Sequence, residues 1–313
     1  NGESDLSVVY DVAEKAAPYL SDHTVLTVKS TVPVGTNHRV LEMVSKLKKP
    51  DAEVSIASVP EFLREGQALG DTFHPDRVVI GFENEKARDV LVALHKPVVT
   101  SDSQIVLTTI KTAEMIKYAA NSFLATKISF ANAIAQLSEK VGANAPEVLQ
   151  AIGLDKRIGG SFLNPGAGYG GSCFPKDVKA LITIASQNDY DFSLLKAVES
   201  INEAAMHNIV TKTKQALTDV SGKKIAILGL SFKPDTDDMR DAPSQLIINE
   251  LVAAGAQIQA FDPIALENAK HIFKGMENIT FASNVYEAIT DADALVLITE
   301  WNEFKELDLQ KAK

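Results

Sequence analysis

Short apolar runs alternate with amphipathic stretches through the first third of the chain. Apolar runs of this length predict buried strands, and apolar residues three or four positions apart predict helices. We expect strands at 25–29, 53–58 and 77–82, with helices at 7–20 and 36–47. Strands that alternate with helices in this way predict a doubly wound α/β sheet, which binds ligands beyond the carboxyl ends of its strands.

The middle of the chain has a helical pattern. Residues 112–141 contain no Gly or Pro and are rich in Ala, Leu, Ile and Lys, which predicts one long helix. A glycine-rich loop follows, from Gly159 to Gly171, and then a helix from Pro175 and another at 193–217.

A second α/β pattern begins after Ser221-Gly222. It predicts strands at 224–230, 257–261, 279–281 and 294–299, a helix at 243–254 and a charged terminal helix at 304–313. The expected fold is therefore α/β, with two Rossmann-like doubly wound domains joined by a long central helix and a helical middle domain. The first domain shows only about three strands and no G-x-G-x-x-G loop, so we expect its first βαβ unit to be missing.

Composition narrows the functional classes. With 45% hydrophobic and 23% charged residues the chain resembles an ordinary globular protein, and no apolar run approaches the ~20 residues of a membrane span. The formal net charge of −10 argues against nucleic-acid binding. The polar, acidic start is unlike a signal peptide, and a single cysteine excludes an intrachain disulfide, so we expect a cytoplasmic protein. No metal site is expected.

The single cysteine lies in Gly170-Gly171-Ser172-Cys173-Phe174-Pro175-Lys176-Asp177. A lone cysteine is ordinarily a buried thiol that behaves as a small apolar side chain. Glycine pairs and a Pro-Lys-Asp turn make a poor apolar core, and helix N-terminal amides with a nearby cation can hold a thiol as thiolate. We therefore favour a nucleophilic Cys173.

Lys117 and Asn121 are four residues apart on the predicted long helix and so share one face. On a generic helix they would be a solvated lysine and an ordinary polar asparagine. The small residues Ala119 and Ala120 between them permit close approach, which favours a functional interpretation: both side chains can donate to an oxyanion.

Seven stretches of the chain resemble motifs of the UDP-glucose/GDP-mannose dehydrogenase family, particularly of its bacterial UDP-glucose 6-dehydrogenases, and they occur in the family's order and spacing. They are KSTVPVGT (29–36), PEFLREG (60–66), PDRVVIG (75–81), AEMIKYAANSFLATKISFANAIA (113–135), RIGGSFLNPGAGYGGSCFPKD (157–177), FKPDTDDMRDAPS (232–244) and TEWNEF (299–304). The resemblance implies an NAD-binding part at 1–108, a central helical dimerisation domain with the cysteine loop at 109–217, and a UDP-sugar-binding domain at 218–313.

The resemblance implies oxidation of UDP-glucose to UDP-glucuronate, with NAD as cofactor, through a thiohemiacetal and a thioester on Cys173. It implies that Lys117 and Asn121 stabilise the oxyanions and that Asp177 assists proton transfer, although Asp177 could equally stabilise the helix N-terminus. Thr31 would hold a water, and Glu61 would act as the base for thioester hydrolysis.

Substrate and cofactor contacts also follow from the resemblance. The family pattern places substrate at Phe62, Leu63, Glu65, Arg157, Tyr169, Gly170, Gly171, Phe232 and Lys233, and places NAD at Thr31, Glu65, Lys176 and Arg240. Arg157 would reach into a neighbouring subunit, which implies a homodimer or higher oligomer packed along the long helix. Arg240 lies among four aspartates and could equally be a salt-bridge partner.

Two alternatives remain open. The substrate could be UDP-N-acetyl-mannosamine or GDP-mannose, although PEFLREG and FKPDTDDMRDAPS resemble the UDP-glucose branch more. The chain could also be an inactive fragment that binds UDP-sugar, because family members normally begin with a strand and a glycine-rich NAD loop and end with a further substrate-contacting arginine.

Overall fold

The computed structural model describes residues 2 and 4–308. Its contacts divide the chain into two compact units. Unit 1 comprises Asn1–Asn121 and Lys179–Tyr190, and unit 2 comprises Ser122–Val178 and Asp191–Lys313. Within the described part of the chain, no helix combines the length and apolar character that a membrane crossing requires.

Unit 1 begins as an alternation of helices and strands. Its elements are α1 (Ser7–Ala16), β1 (Thr24–Val28), α2 (Thr36–Leu47), β2 (Val54–Ser58), α3 (Ala68–Phe73), β3 (Val78–Phe82), α4 (Glu85–His95), β4 (Ile105–Thr108) and the first part of α5 (Ile110–Val141). Short 3₁₀ turns follow α1 and α4, at Ala17–Tyr19 and Lys96–Val98, and a third precedes β4, at Asp102–Gln104. The three expected strands and the helix at 36–47 are confirmed, whereas α3 and β4 were not predicted.

The sheet of unit 1 has the order β1-β2-β3-β4. β1 and β2 are parallel, as are β3 and β4, but β2 and β3 run antiparallel. The sheet is therefore mixed. Its core lies on both faces, with Val28, Val40, Val44 and Ile56 in one cluster and Ala57, Val78, Ile80 and Leu91 in another.

Gly81, at the end of β3, allows the start of α5 to pack closely. A Cβ atom there would lie 2.6 Å from the Cβ of Ala113 and 2.9 Å from the Cα of Ile110. The 32-residue α5 confirms the predicted long helix. Its length follows from the absence of Gly and Pro, since either would destabilise its interior.

Unit 2 combines helices with a second sheet. After α5 come α6 (Ala145–Gly153), α7 (Phe174–Gln187), α8 (Ser193–Leu217), β5 (Lys224–Leu228), α9 (Pro243–Ala253), β6 (Gln257–Phe261), α10 (Leu266–Ile272), β7 (Ile279–Phe281), α11 (Val285–Ile289), β8 (Ala294–Leu297) and α12 (Asn302–Lys305). Residues 179–187 of α7 belong to unit 1. The helices α6 and α10 were not predicted.

The second sheet is fully parallel, with the order β7-β6-β5-β8. The chain adds β6 and β7 on one side of β5 and then places β8 on the other, which is the doubly wound arrangement. Ile225, Ile227, Ile247 and Ile258 form the core on one face, and Ala226, Leu228, Trp301 and Phe304 on the other. The expected α/β class with a long central helix is confirmed.

Several predicted elements extend too far: the helix expected at 7–20 ends at Ala16, and the strand expected at 294–299 ends at Leu297. The strand expected at 224–230 ends at Leu228, because Gly229 adopts a φ of +88°. The helix expected at 304–313 is wrong over 306–308: α12 ends at Lys305, and residues 306–308 leave the helix. Residues 309–313 lie outside the described part of the chain.

Candidate functional site

Thr31 and Glu61 occupy equivalent positions beyond two neighbouring strands. Val28 pairs with Ser58 in the parallel β1–β2 ladder, and each candidate residue lies three positions further along. The amide of Glu61 donates to the carbonyl of Lys29 at 3.3 Å, so the two segments continue side by side past the sheet. The two residues therefore follow adjacent parallel strands, at the edge where α/β sheets bind ligands.

Lys117 is buried on α5 and is not the solvated lysine of a generic helix. It is 3% exposed, and its ammonium nitrogen lies 3.6 Å from Oε1 of Glu61 and 5.2 Å from the centre of the Phe62 ring. Asn121, one turn further along the same face, is also buried. A buried ammonium and a buried amide on one helix face are two hydrogen-bond donors held in fixed positions, as oxyanion stabilisation requires.

The segment after Glu61 is held by local contacts. Oε2 of Glu61 accepts the amide of Leu63 at 2.6 Å, and the guanidinium of Arg77 lies 3.9 Å from the centre of the Phe62 ring. Leu63 is exposed and Glu65 is half-buried. Arg77 was quoted in a motif but was given no role from the sequence.

Glu114 is a buried residue that sequence reasoning missed. Its carboxylate accepts the amide of Gly35 at 2.6 Å, the amide of Asn37 at 3.0 Å and the Nδ2 group of Asn37 at 2.7 Å. Glu114 therefore satisfies backbone N–H groups at the N-terminus of α2, and its negative charge is favourable there. It also joins the KSTVPVGT loop to the helix that carries Lys117. Its position one turn before Lys117 on the same face was the available signal.

Cys173 precedes the first residue of α7. Its carbonyl accepts the amide of Asp177 at 2.9 Å, and its sulfur lies 3.5 Å from Oγ of Ser172. The thiol is partly exposed and stands at the N-terminus of α7. Asp177 is buried one turn later and contacts Lys176 through its carboxylate, whereas Lys176 is half-exposed. A partly exposed thiol at the end of a glycine-rich loop is accessible to a substrate carbonyl, as nucleophilic chemistry requires.

The glycine loop before Cys173 is held on two sides. Asn202 of α8 accepts the amide of Tyr169 at 2.7 Å and donates to its carbonyl at 3.0 Å. The amide of Gly171 donates to the carbonyl of Arg240 at 2.8 Å, and a Cβ atom on Gly170 would lie 2.3 Å from the carbonyl oxygen of Asp241. Burial and the charge of Glu199 raise the pKa of the Tyr169 hydroxyl, so this side chain stays neutral.

Phe232 and Lys233 follow β5, the strand at which the order of strands in the second sheet reverses. The Phe232 ring fills the space beside Gly171, where a Cβ atom would lie 2.7 Å from the ring, and Nζ of Lys233 lies 5.5 Å from the ring centre. The buried carboxylate of Asp262 accepts the amides of Leu230 and Ser231, at 2.7 and 3.1 Å, and so fixes the start of this loop. Tyr169, Gly170, Gly171, Phe232 and the backbone of Arg240 therefore come together within unit 2.

The two predicted arginines lie at the surface. Arg157 is 89% exposed and binds Asp155 with two guanidinium nitrogens, and Arg240 binds Asp238 in the same way. The salt-bridge interpretation of Arg240 therefore holds for its side chain. The pKa of Asp155 is lowered by its hydrogen bonds with Arg157.

Sequence comparisons match three domains of one family. The matching models describe the UDP-glucose/GDP-mannose dehydrogenase family: its NAD binding domain matches residues 1–99, its central domain 111–204 and its UDP binding domain 226–313.

Individual relatives agree with these matches. A UDP-glucose 6-dehydrogenase of Rhizobium meliloti is 46% identical, across 100% of this chain and 71% of the relative, and UDP-glucose 6-dehydrogenase YwqF of Bacillus subtilis is 46% identical, across 99% and 69%. The solved structure of a UDP-glucose dehydrogenase from Pyrobaculum islandicum matches with a TM-score of 0.93 at 36% identity, across 98% of this chain and 71% of that chain. A UDP-D-ManNAc dehydrogenase from Pyrococcus horikoshii matches with a TM-score of 0.84 at 25% identity, across 98% and 70%.

Proposed function

The chain belongs to the UDP-glucose/GDP-mannose dehydrogenase family, and from this premise we propose that it oxidises UDP-glucose to UDP-glucuronate with NAD. The observation that carries the proposal is the partly exposed Cys173 thiol at the start of α7, with the buried Asp177 carboxylate one turn later. A primary alcohol becomes a carboxylate by loss of four electrons, and a covalent thiol intermediate divides that oxidation into two easier stages.

We assign the covalent steps to Cys173. Loss of a hydride from C6 and of a proton from its hydroxyl first gives the C6 aldehyde. The Cys173 thiolate adds to this aldehyde to form a thiohemiacetal, and loss of a second hydride from C6 gives a thioester. Water then adds to the thioester carbonyl, the carbon–sulfur bond breaks, and the thiol is regenerated as the carboxylate leaves. Lys117 and Asn121 donate hydrogen bonds to the oxygen that carries negative charge, while Glu61 accepts the proton of the attacking water. Asp177 assists proton transfer in the first oxidation.

The proposed NAD contacts are Thr31, Glu65, Lys176 and Arg240. Thr31 and Glu65 follow the carboxyl ends of two parallel strands, where α/β sheets bind nucleotides. Lys176 and Arg240 are surface cations paired with Asp177 and Asp238, and a diphosphate would compete with these aspartates for them. Bound NAD would accept the two hydrides that the oxidation releases.

The proposed UDP-glucose contacts are Phe62, Leu63, Glu65, Arg157, Tyr169, Gly170, Gly171, Phe232 and Lys233. The crowded backbone around Gly170 and Gly171 supports this proposal, because glycine allows peptide amides to approach a diphosphate closely. The greater identity with the Pyrobaculum enzyme than with the Pyrococcus UDP-D-ManNAc dehydrogenase favours UDP-glucose. Initial rates with UDP-glucose, UDP-N-acetyl-mannosamine and GDP-mannose test this choice, and a preference for either alternative sugar would contradict it.

We further propose a dimer that packs along α5. Phe123, Phe130 and Leu137 recur every seven residues on this helix and are each about half-exposed or more. An exposed apolar stripe of this spacing is typical of a helix that packs against another helix. Arg157, which is exposed, would reach the neighbouring subunit.

We also propose a cytoplasmic location, since the Cys173 thiol must stay reduced to react.

The Cys173→Ala variant tests the covalent mechanism, and Cys173→Ser keeps a smaller nucleophile at the same position. We expect neither variant to form UDP-glucuronate at a measurable steady rate, while UDP-glucose still binds. The proposed mechanism fails if Cys173→Ala releases UDP-glucuronate at the rate of the unaltered chain.

A further inference from the structure

Arg77 contacts the segment that carries the proposed base, although no step of the reaction has been assigned to it. We propose that Arg77 is a positioning residue that holds Glu61 and Phe62 in place for thioester hydrolysis and for UDP-glucose binding. This inference rests on the proposed function, because it gives Arg77 its effect through Glu61 and Phe62. It concerns unit 1 alone.

The antiparallel pairing of β2 and β3 explains why Arg77 meets Phe62. Ala57 pairs with Phe82 and Ser58 with Gly81. Counting on in the same register past the end of the ladder, each step forward from Ser58 corresponds to a step back from Gly81, and Phe62 falls opposite Arg77. A parallel β3 would run in the opposite direction and would place its amino end far from this segment. The reversal of this one strand therefore delivers the arginine.

The contact itself is short and specific. The guanidinium carbon of Arg77 lies 3.9 Å from the centre of the Phe62 ring, within the range of stacked cation–π pairs. Arg64, the other arginine near this segment, donates from Nε to Oδ2 of Asp71 at 3.0 Å. Arg77 is half-buried, so water competes less for its guanidinium than at the surface.

The same segment orders the reactive groups. At the start of this segment, the amide of Glu61 donates to the carbonyl of Lys29, and the Glu61 carboxylate lies beside the Lys117 ammonium. The Glu61 side chain remains 31% exposed, so these contacts leave it room to turn toward solvent. The Phe62 ring, which also lies 5.2 Å from Nζ of Lys117, is anchored by Arg77. Loss of Arg77 would free the ring and, with it, the direction of the adjacent carboxylate.

The test compares Arg77→Ala and Arg77→Lys with Arg88→Ala. Arg88 is a matched control because its guanidinium also lies over a ring, 5.9 Å from the centre of Phe82, in the same unit. Three quantities are measured: the dissociation constant of UDP-glucose by calorimetry, the fraction of Cys173 that carries the UDP-glucuronyl thioester during turnover by intact-protein mass spectrometry, and the thermal midpoint.

For Arg77→Ala we expect UDP-glucose to bind about fivefold to tenfold more weakly, in line with loss of one half-buried cation–π contact. We also expect the thioester to accumulate, because hydrolysis slows when the base is misplaced. Arg77→Lys, which keeps a cation but not a planar group, should recover part of both effects. Arg88→Ala should match the unaltered chain.

The outcomes separate this inference from the proposed function. If the unaltered chain turns over and Arg77→Ala behaves like it in both affinity and thioester fraction, the inference is overturned and the proposed function stands. Equal losses in Arg77→Ala and Arg88→Ala also overturn it, because they indicate general destabilisation. If the unaltered chain binds UDP-glucose without forming NADH, the proposed function fails, and the affinity comparison still decides the role of Arg77. A chain that does neither overturns both.

Discussion

Nζ of Lys117 lies 3.6 Å from Oε1 of Glu61, so the helix α5 and the segment after β2 are joined by an ion pair. The two partners differ in exposure: Lys117 is almost fully buried, whereas the carboxylate of Glu61 is about one-third exposed. A buried ammonium is costly unless a negative charge and hydrogen-bond acceptors accompany it. The pair therefore keeps a cation at a position where a generic helix would carry an apolar side chain.

Replacement of that cation should affect catalysis strongly. In Lys117→Met the shape of the side chain is roughly kept while its charge and hydrogen-bond donors are lost. We expect kcat to fall about 100-fold to 1000-fold, as when one oxyanion donor is removed. The measurement is the steady rate of NADH formation with saturating UDP-glucose and NAD. The control is Lys111→Met, because Lys111 is an exposed lysine on the same helix. A Lys117→Met rate within threefold of the Lys111→Met rate would contradict the assignment.

Glu114 should contribute mainly to stability. In Glu114→Gln the carboxamide places an N–H group among the donors from Gly35 and Asn37, so at least one buried donor loses its acceptor. We expect the free energy of unfolding to fall by about 2–3 kcal/mol. Chemical denaturation measures it.

The control for Glu114 lies at the far end of the same helix. Glu139 is about half-exposed and pairs with Lys212 at the surface, where ion pairs contribute roughly 0–1 kcal/mol. Glu139→Gln should therefore change stability little. If both variants lose the same amount, the buried hydrogen bonds of Glu114 contribute no more to stability than a surface ion pair does.

The glycine loop offers a steric test. In Gly170→Ala the new Cβ would lie 2.3 Å from the carbonyl oxygen of Asp241, so one of the two backbones must move. Overpacking of this kind costs about 1–3 kcal/mol, and we expect UDP-glucose affinity to fall about tenfold or more. Gly166→Ala in the same loop meets no atom within 4 Å and should bind normally. Calorimetric titration of both variants decides whether the close approach matters, and equal affinities would show that it does not.

The sequence predicted the elements whose local pattern is strong. The helices at 36–47 and 193–217 and the strand at 257–261 were predicted with the bounds observed, because no glycine or proline interrupts them. The short elements α3, β4, α6 and α10 escaped detection. In α6 the helical period was present, since apolar residues recur at 145, 148, 149 and 152, and it was overlooked. The elements α3, β4 and α10 have four to seven residues, which is too short to establish a period, so tertiary contacts decide their conformation.

The direction of β3 could not be read from the sequence either. An apolar run predicts a strand but carries no information about its neighbours, and the alternation with helices favoured a parallel sheet. The contacts of Arg77 and Glu114 were missed for a related reason. Each joins residues far apart in sequence, from Phe62 to Arg77 and from Gly35 to Glu114, so neither pair leaves a local pattern.

The proposed dimer gives a prediction that is independent of catalysis. Phe130→Asp places a charge in the middle of the exposed stripe on α5, and we expect the variant to be monomeric at concentrations where the unaltered chain is dimeric. Light scattering after size-exclusion chromatography measures the mass. Leu69→Asp, on the exposed side of α3, should leave the mass unchanged. An unaltered chain that is monomeric throughout would contradict the proposal.

The most direct test of the central claim is the number of NADH molecules formed per UDP-glucose consumed, followed by absorbance with saturating NAD. We predict two, because a primary alcohol reaches the carboxylate through two hydride transfers while the intermediate stays on Cys173. A value of one, with free aldehyde released, would contradict the covalent mechanism, and the absence of NADH would contradict the proposed activity.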